Sequence, residues 1–136
     1  MVQLTGPKKI NCAVFISGTG SNLKSLIQFS KKKSSPISIE LIISDNSKAK
    51  GLKFGKIYKI SNKVFNYKNK IIAEKKIISE IKNKNIKFIC LAGFMKILSK
   101  KFIRNFDGKI LNIHPSLLPK YKGLNTHQRA ISNGEK

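Results

Sequence analysis

The sequence has few of the residues that build disulfide frameworks and metal centres. Its 136 residues include two cysteines, two histidines, six acidic residues and no tryptophan. Cys12 and Cys90 each lie within an apolar run, and neither has a partner at a metal-binding spacing. Two strand thiols of this kind are typical of a reducing compartment and not of a disulfide framework. We therefore expect a cytoplasmic protein with no bound metal.

Long apolar segments are also missing from the sequence. A helix that spans a bilayer needs about 20 apolar residues, and no segment reaches that length. Met1–Lys9 has no apolar run that would serve as a signal peptide. There are no internal repeats and no low-complexity linker, and 40% of the residues are hydrophobic. We therefore expect one globular domain over residues 1–136 and no membrane partner.

Negative charge is scarce, and the formal net charge is +22. Such an excess of positive charge commonly marks a nucleic-acid partner. Here, however, the only arginines are Arg104 and Arg129, and arginine is the residue suited to bidentate phosphate and base contacts. The lysines are scattered along the chain together with abundant Ile and Asn, which is typical of an AT-rich coding sequence. We therefore expect no specific nucleic-acid partner.

A strand, a glycine-rich turn and a helix are predicted at the start of the chain. Ile10–Ile16 is an apolar run typical of a central parallel strand, and helical spacing of Leu23 and Ile27 predicts a helix from near Asn22. The turn between them favours an anion, because its glycines expose backbone amides beside a helix N-terminus. The next glycine of a dinucleotide fingerprint is replaced by Leu23, and no Gly-Lys-Ser/Thr follows, so a small phosphomonoester fits better. The predicted phosphate-binding residues are Gly18, Thr19, Gly20, Ser21 and Asn22, although Ser21 or Asn22 could instead cap the helix.

The rest of the chain alternates between strand-like and helix-like segments. The predicted strands are Ile37–Ser44, Ile57–Ile60, Lys87–Ala92 and a short run around Ile110–Ile113. The predicted helices are Lys48–Lys56, Lys70–Lys84, Ser99–Arg104 and Thr126–Asn133. Asp45 fits a turn or a helix cap better than a contact to a ribose. The alternation predicts an α/β fold with a Rossmann-like, mostly parallel sheet and helices on both faces.

Asn112 and His114 stand two residues apart at the end of the last predicted strand, so both project to the same side. Pro115 ends the strand, which delivers a carboxamide and an imidazole at the edge where open α/β sheets bind ligands. Asn stabilises a developing oxyanion, and His holds or moves a proton near neutral pH. On its own such a pair fits a structural hydrogen bond better than a catalytic role.

Three stretches resemble the folate-dependent formyltransferases, namely Ser17–Leu23, Gly93–Leu98 and Asn112–His127. The likeness is greatest to members that formylate glycinamide ribonucleotide in purine synthesis. It implies the formyltransferase fold, 10-formyltetrahydrofolate as co-substrate, and catalytic roles for Asn112 and His114. It also implies that the glycine-rich turn and Pro115 bind the ribonucleotide. The implied folate-binding residues are Lys70, Phe94, Met95, Lys96, Ile97, Leu98 and Asn112.

Several alternatives remain open beside this resemblance. Lys70 and Lys96 stand where the family usually has Arg. The planar guanidinium group, which makes bidentate contacts to carboxylates, is therefore lost. Without the resemblance, Phe94, Met95, Ile97 and Leu98 would be ordinary core residues. A methionyl-tRNA formyltransferase would suit the positive charge, and a formyltetrahydrofolate hydrolase would have a second His at position 115. A catalytically inactive nucleotide- or folate-binding module and a homodimer are also open.

The resemblance implies one further residue, an Asp that pairs with the catalytic His in a loop beyond Lys136. None of the six acidic residues lies in a matching motif. Without that carboxylate, His114 loses a partner that would raise its pKa above about 6.5 and fix its orientation. In serine proteases the loss of such a carboxylate costs roughly ten-thousandfold in rate. We therefore expect a formyltransferase fold that lacks its C-terminal part, keeps the phosphate-binding turn and has negligible activity by itself.

Overall fold

The computed structural model describes residues 8–113, which form a five-stranded sheet in which every neighbouring pair of strands is parallel. The strands are β1 (Ile10–Ile16), β2 (Ile37–Ser44), β3 (Ser61–Val64), β4 (Phe88–Ala92) and β5 (Lys109–Ile113). The helices are α1 (Ser21–Ser30), α2 (Lys53–Ile57), α3 (Lys70–Asn83) and α4 (Lys100–Asn105), with a 3-10 turn at Lys50–Leu52. The spatial order is β3-β2-β1-β4-β5. The predicted parallel α/β fold is thereby confirmed.

Apolar side chains fill both faces of the sheet, because the central strands are hydrophobic on each side. On the face covered by α1 and α2, the core includes Cys12, Val14, Ile16, Leu23, Ile27, Ile42 and Phe54. On the face covered by α3 and α4, it includes Ala13, Phe15, Leu41, Ile43, Ile77, Ile81 and Phe102. Burying one such large side chain contributes about 1.5–3 kcal/mol. These two layers fix the positions of the strand ends from which the candidate site is built.

The longest helix, α3, illustrates how the sequence specifies a local element. Ala73, Ile77 and Ile81 recur every four residues and are all buried against the sheet. The helix begins because the side chain of Asn69 accepts a hydrogen bond from the amide of Ile72 at 3.1 Å. The opposite face carries exposed lysines and is solvated.

The prediction of a strand at Ile57–Ile60 is wrong. Ile57 ends α2, Lys59 adopts a left-handed φ of 56°, and the strand begins only at Ser61. The strand β3 lies at the sheet edge, and its side chains are mostly exposed, so it carries no apolar pattern that would mark it in the sequence.

Other boundaries agree more closely with the sequence predictions. The prediction of a helix at Lys48–Lys56 is only partly right, because a 3-10 turn and the short helix α2 occupy that region. The strands Ile10–Ile16 and Ile37–Ser44 are confirmed with both ends, and the remaining elements up to residue 113 differ from their predicted bounds by one residue. The predicted helix Thr126–Asn133 lies outside the described residues. For the same reason, a single domain over 1–136 stays a prediction.

The strand order creates a crevice at the carboxyl ends of β1 and β4. From β1 the chain passes to β2 and β3 on one side, and it then returns to β4 and β5 on the other. Loops that follow two neighbouring strands of this kind diverge, and in open α/β sheets ligands bind between them. The segments that follow β1 and β4 are Ser17–Gly20 and Gly93–Ser99.

Candidate functional site

The segment after β1, here called the β1 turn (Gly18–Asn22), includes the first two residues of α1. Gly18 and Thr19 are exposed, and Gly20 is buried with a left-handed φ of 76°. The helix begins at Ser21, one residue before the predicted start. No side chain caps it within the described part of the chain, so the alternative in which Ser21 or Asn22 caps the helix is wrong. The amides of its first turn therefore point toward the crevice without a side-chain acceptor.

Gly51, in the 3-10 turn, contacts the β1 turn through its backbone. The amide of Gly51 donates a 2.9 Å hydrogen bond to the carbonyl of Gly18. The two backbones approach so closely that a Cβ on Gly20 would lie 2.7 Å from the Cα of Gly51. Gly51 was not predicted as a site residue from the sequence, because only the fold brings it beside Gly20.

The loop after β4, here called the β4 loop (Gly93–Leu98), divides its side chains between solvent and core. Met95 and Ile97 are 77% and 80% exposed, and Lys96 is also exposed. Phe94 instead packs edge-on against Phe15, with ring centroids 5.3 Å apart. Leu98 is buried in the core on the α3 and α4 face.

The remaining predicted site residues lie at the same edge of the sheet or outside the described region. Asn112 is half-buried, stands one residue before the end of β5, and pairs with Leu91 of β4. Lys70 is the first residue of α3, and it lines a cleft of about 340 Å³ between α3 and α4 together with Ser99. His114 and Pro115 lie outside the described residues.

One hydroxyl connects the ends of three neighbouring strands. Ser17, directly after β1, donates a 2.5 Å hydrogen bond to the carboxylate of Asp45, which follows β2. The same Oγ accepts a 2.8 Å hydrogen bond from the amide of Met95 in the β4 loop. Asp45 thus neither forms the expected turn nor caps a helix, and the local Asx turn is made by Asn46, which accepts from the amide of Lys48.

The sequence also did not predict Tyr67 as a residue near the site. Its ring packs against Phe94, with centroids 5.8 Å apart, and its buried hydroxyl has no hydrogen-bond partner among residues 8–113. Burial, followed by the negative charges of Glu74 and Asp45, raises the pKa of Tyr67. The phenol is therefore neutral at physiological pH. The only sequence feature that could have indicated a role for Tyr67 is that it is an aromatic residue in a polar loop.

Both cysteines lie away from the crevice and are free and buried, as the apolar runs around them predict. Their sulfurs are 3.9 Å apart across β1 and β4, and the contact with Cys90, together with burial, raises the pKa of Cys12. Between residues 8 and 113, no three His, Cys, Asp or Glu side chains group together as a metal site requires. In that same region no helix is long and apolar enough to cross a membrane.

Known proteins have sequences similar to this one. A phosphoribosylglycinamide formyltransferase from Haemophilus influenzae is 46% identical over 131 residues, and the chain spans 61% of its length. The trifunctional purine biosynthetic protein adenosine-3 of Homo sapiens is 42% identical over 130 residues, and the chain spans 13% of it. These alignments include 94% and 93% of the present chain.

A solved structure extends the comparison to three dimensions. The crystal structure of a phosphoribosylglycinamide formyltransferase from Brucella melitensis superposes with a TM-score of 0.76 at 40% identity. The superposition covers 93% of this chain and 68% of that one. The family model described as formyl transferase matches residues 10–136, which is nearly the whole sequence. The chain belongs to the formyl transferase family.

Proposed function

We propose that this chain takes part in the transfer of a formyl group from 10-formyltetrahydrofolate to the amine of glycinamide ribonucleotide, a step of purine synthesis. The observation that carries the proposal is the meeting of the β1 turn, the β4 loop and Asn112 at one edge of the sheet. The names of the Haemophilus and Brucella relatives support the choice of acceptor. The alternatives that act on tRNA or hydrolyse the folate draw no support from the relatives named above.

The β1 turn would hold the phosphate of the ribonucleotide. The backbone of Gly18, Thr19 and Gly20 lines the turn, and Ser21 and Asn22 add side-chain donors in the first turn of α1. A Cβ on Gly18 would meet nothing within 4 Å, so open space for an anion lies beside this residue. The helix dipole and the uncapped amides favour a charge of −1 to −2 there. Pro115 would contact the same substrate.

The β4 loop would bind the folate. Met95 and Ile97 present apolar surface to solvent, which a flat pterin ring would cover. Phe94 and Leu98 would act mainly by holding the loop on the core, because their side chains pack inward. The ammonium groups of Lys96 and Lys70 would attract the carboxylates of the folate tail. Each acts as a point charge and makes no bidentate contact.

Asn112 and His114 would carry the chemistry. The substrate amine attacks the formyl carbon, and the formyl oxygen gains negative charge. The carboxamide of Asn112 donates a hydrogen bond to that oxygen and stabilises it. His114, as imidazolium, donates a second hydrogen bond and helps move a proton from the amine to the departing folate nitrogen. The products are the formamide and tetrahydrofolate.

Calorimetry with glycinamide ribonucleotide and its dephosphorylated nucleoside tests the proposal on the residues that the structure describes. Each charge-assisted hydrogen bond to the phosphate contributes about 1.5–3 kcal/mol, so the nucleoside should bind at least about tenfold more weakly. Equal affinity for the two compounds would remove the phosphate assignment.

A pair of serine variants on α1 locates the site within the chain. Ser21→Ala removes one such donor from the first turn and should lower ribonucleotide affinity at least about tenfold. Ser25→Ala, an exposed serine one turn further along the same helix, is the matched control and should bind as the parent does. If the two variants bind equally well, the hydroxyl of Ser21 does not contact the phosphate.

A further inference from the structure

Ser17 makes two hydrogen bonds that join segments far apart in the sequence. Its hydroxyl donates to Asp45 at 2.5 Å and accepts from the amide of Met95 at 2.8 Å. A serine hydroxyl has one proton and two lone pairs, so donation to the carboxylate leaves an acceptor for Met95. The strands β2, β1 and β4 are neighbours in the sheet, and the loops after all three are tied at this oxygen.

We propose that Ser17 is a positioning residue that couples the β1 turn to the β4 loop, so that binding of one substrate favours binding of the other. The inference rests on the proposed function, in which these two segments hold the ribonucleotide and the folate. Ser17 directly precedes Gly18, and Met95 lies within the β4 loop. A shift of either segment therefore changes the hydrogen bond that holds the other.

The physical basis is the ordering that each ligand requires. An anion on the β1 turn fixes the backbone next to Ser17, and its hydroxyl then holds the amide of Met95 in one place. A folate that binds next meets a loop that is already ordered, so less conformational entropy is lost. Met95 is exposed, so water can replace the hydroxyl if Ser17 is removed. Loss of Ser17 should therefore affect coupling far more than folding.

The test measures the affinity for tetrahydrofolate, which has no formyl group to transfer, with and without saturating glycinamide ribonucleotide. The ratio of the two dissociation constants is the coupling factor, and we expect at least about fivefold in the unaltered 136-residue chain. Ser17→Ala should bring this ratio close to one, and Ser17→Thr, which keeps a hydroxyl, should restore it. A merely structural defect would weaken both affinities and leave their ratio unchanged.

Ser38→Ala is the matched control for this experiment. Ser38 also donates to a carboxylate, that of Glu40, but it lies toward the opposite end of the sheet, opposite Asn11. This variant should keep the full coupling factor. If Ser17→Ala does not fold, Asp45→Ala takes its place. This variant removes the carboxylate after β2 that accepts a hydrogen bond from Ser17, and it should at least halve the coupling factor.

The outcomes separate this inference from the proposed function. An unaltered chain that binds both ligands with a ratio near one overturns the inference alone. The same holds if Ser17→Ala, or Asp45→Ala in its place, keeps the parent ratio. Failure of the unaltered chain to bind the ribonucleotide at all overturns the proposed function, and the inference falls with it.

Discussion

Alanine substitutions at four glycines should separate steric crowding from backbone strain around the crevice. Gly18 has neither a left-handed φ nor a neighbour within 4 Å of an added Cβ. Gly93 has a φ of 79° but open space, and Gly51 has crowding without a left-handed φ. Gly20 combines both, with a φ of 76° and a contact of 2.7 Å to the Cα of Gly51.

The expected loss in the free energy of unfolding follows from the left-handed backbone and from the crowding of the added Cβ. A left-handed backbone costs an ordinary residue about 1–2 kcal/mol, so Gly93→Ala should lower the free energy of unfolding by that amount. Crowding in a packed region costs about 1–3 kcal/mol, which applies to Gly51→Ala because its Cβ would lie 2.9 Å from the Cα of Gly20. Gly20→Ala should lose about 2–5 kcal/mol, the sum of both. Gly18→Ala should be neutral or stabilise by up to about 1 kcal/mol through the unfolded chain.

Urea unfolding followed by circular dichroism measures the series, with Gly18→Ala as the internal control. Ribonucleotide binding adds a second readout, because a methyl at Gly18 fills the space where the phosphate would lie. Gly18→Ala should therefore fold as well as the parent and bind the ribonucleotide at least about tenfold more weakly. If Gly20→Ala were as stable as Gly18→Ala, the close approach of Gly20 and Gly51 would be refuted.

Three further experiments have expected outcomes. Tyr67→Phe removes a buried hydroxyl that has no hydrogen-bond partner among residues 8–113, and it should stabilise the fold by up to about 1 kcal/mol. Because folding raises this pKa, the parent should also lose stability faster than the variant as pH rises above the unfolded value of about 10. Ser99→Ala should cost more than Asn69→Ala in urea unfolding, since both cap helices but only Ser99 also donates to the buried carboxylate of Glu74. Binding to tRNA, measured by fluorescence anisotropy, should be weak and should fade steeply with salt, and salt-resistant submicromolar binding would favour a tRNA substrate instead.

Much of the fold could be predicted because its strands and helices carry strong local patterns. β1 and β2 are continuous apolar runs, and α3 repeats buried residues every four positions. The cap at Ser99 was also readable, because a serine precedes a short helical segment. Edge strand β3 was misplaced, since an exposed strand that pairs with one neighbour has no need of an apolar pattern.

The connections within the candidate site could not be predicted from the sequence. Ser17 and Met95 are 78 positions apart, and no local pattern indicates that one hydroxyl would serve both Met95 and Asp45. Gly51 falls within the predicted helix Lys48–Lys56. Its contact with Gly20 arises only because the 3-10 turn packs against the end of β1. Local periodicity specifies elements, whereas these contacts arise only when the strand order is known.

The strand order also sets what kind of substrate the proposed chemistry requires. β1 carries the β1 turn, and Asn112 lies on β5, two strands away with β4 between them. Neighbouring strands are about 4.8 Å apart, so the phosphate and the reacting carbon would be separated by roughly 10 Å. A ribose between the phosphate and the amine would provide a spacer of this order, whereas inorganic phosphate would fill only the β1 turn. The β4 loop lies over the gap, so a folate bound there would meet the amine between the two ends of the site.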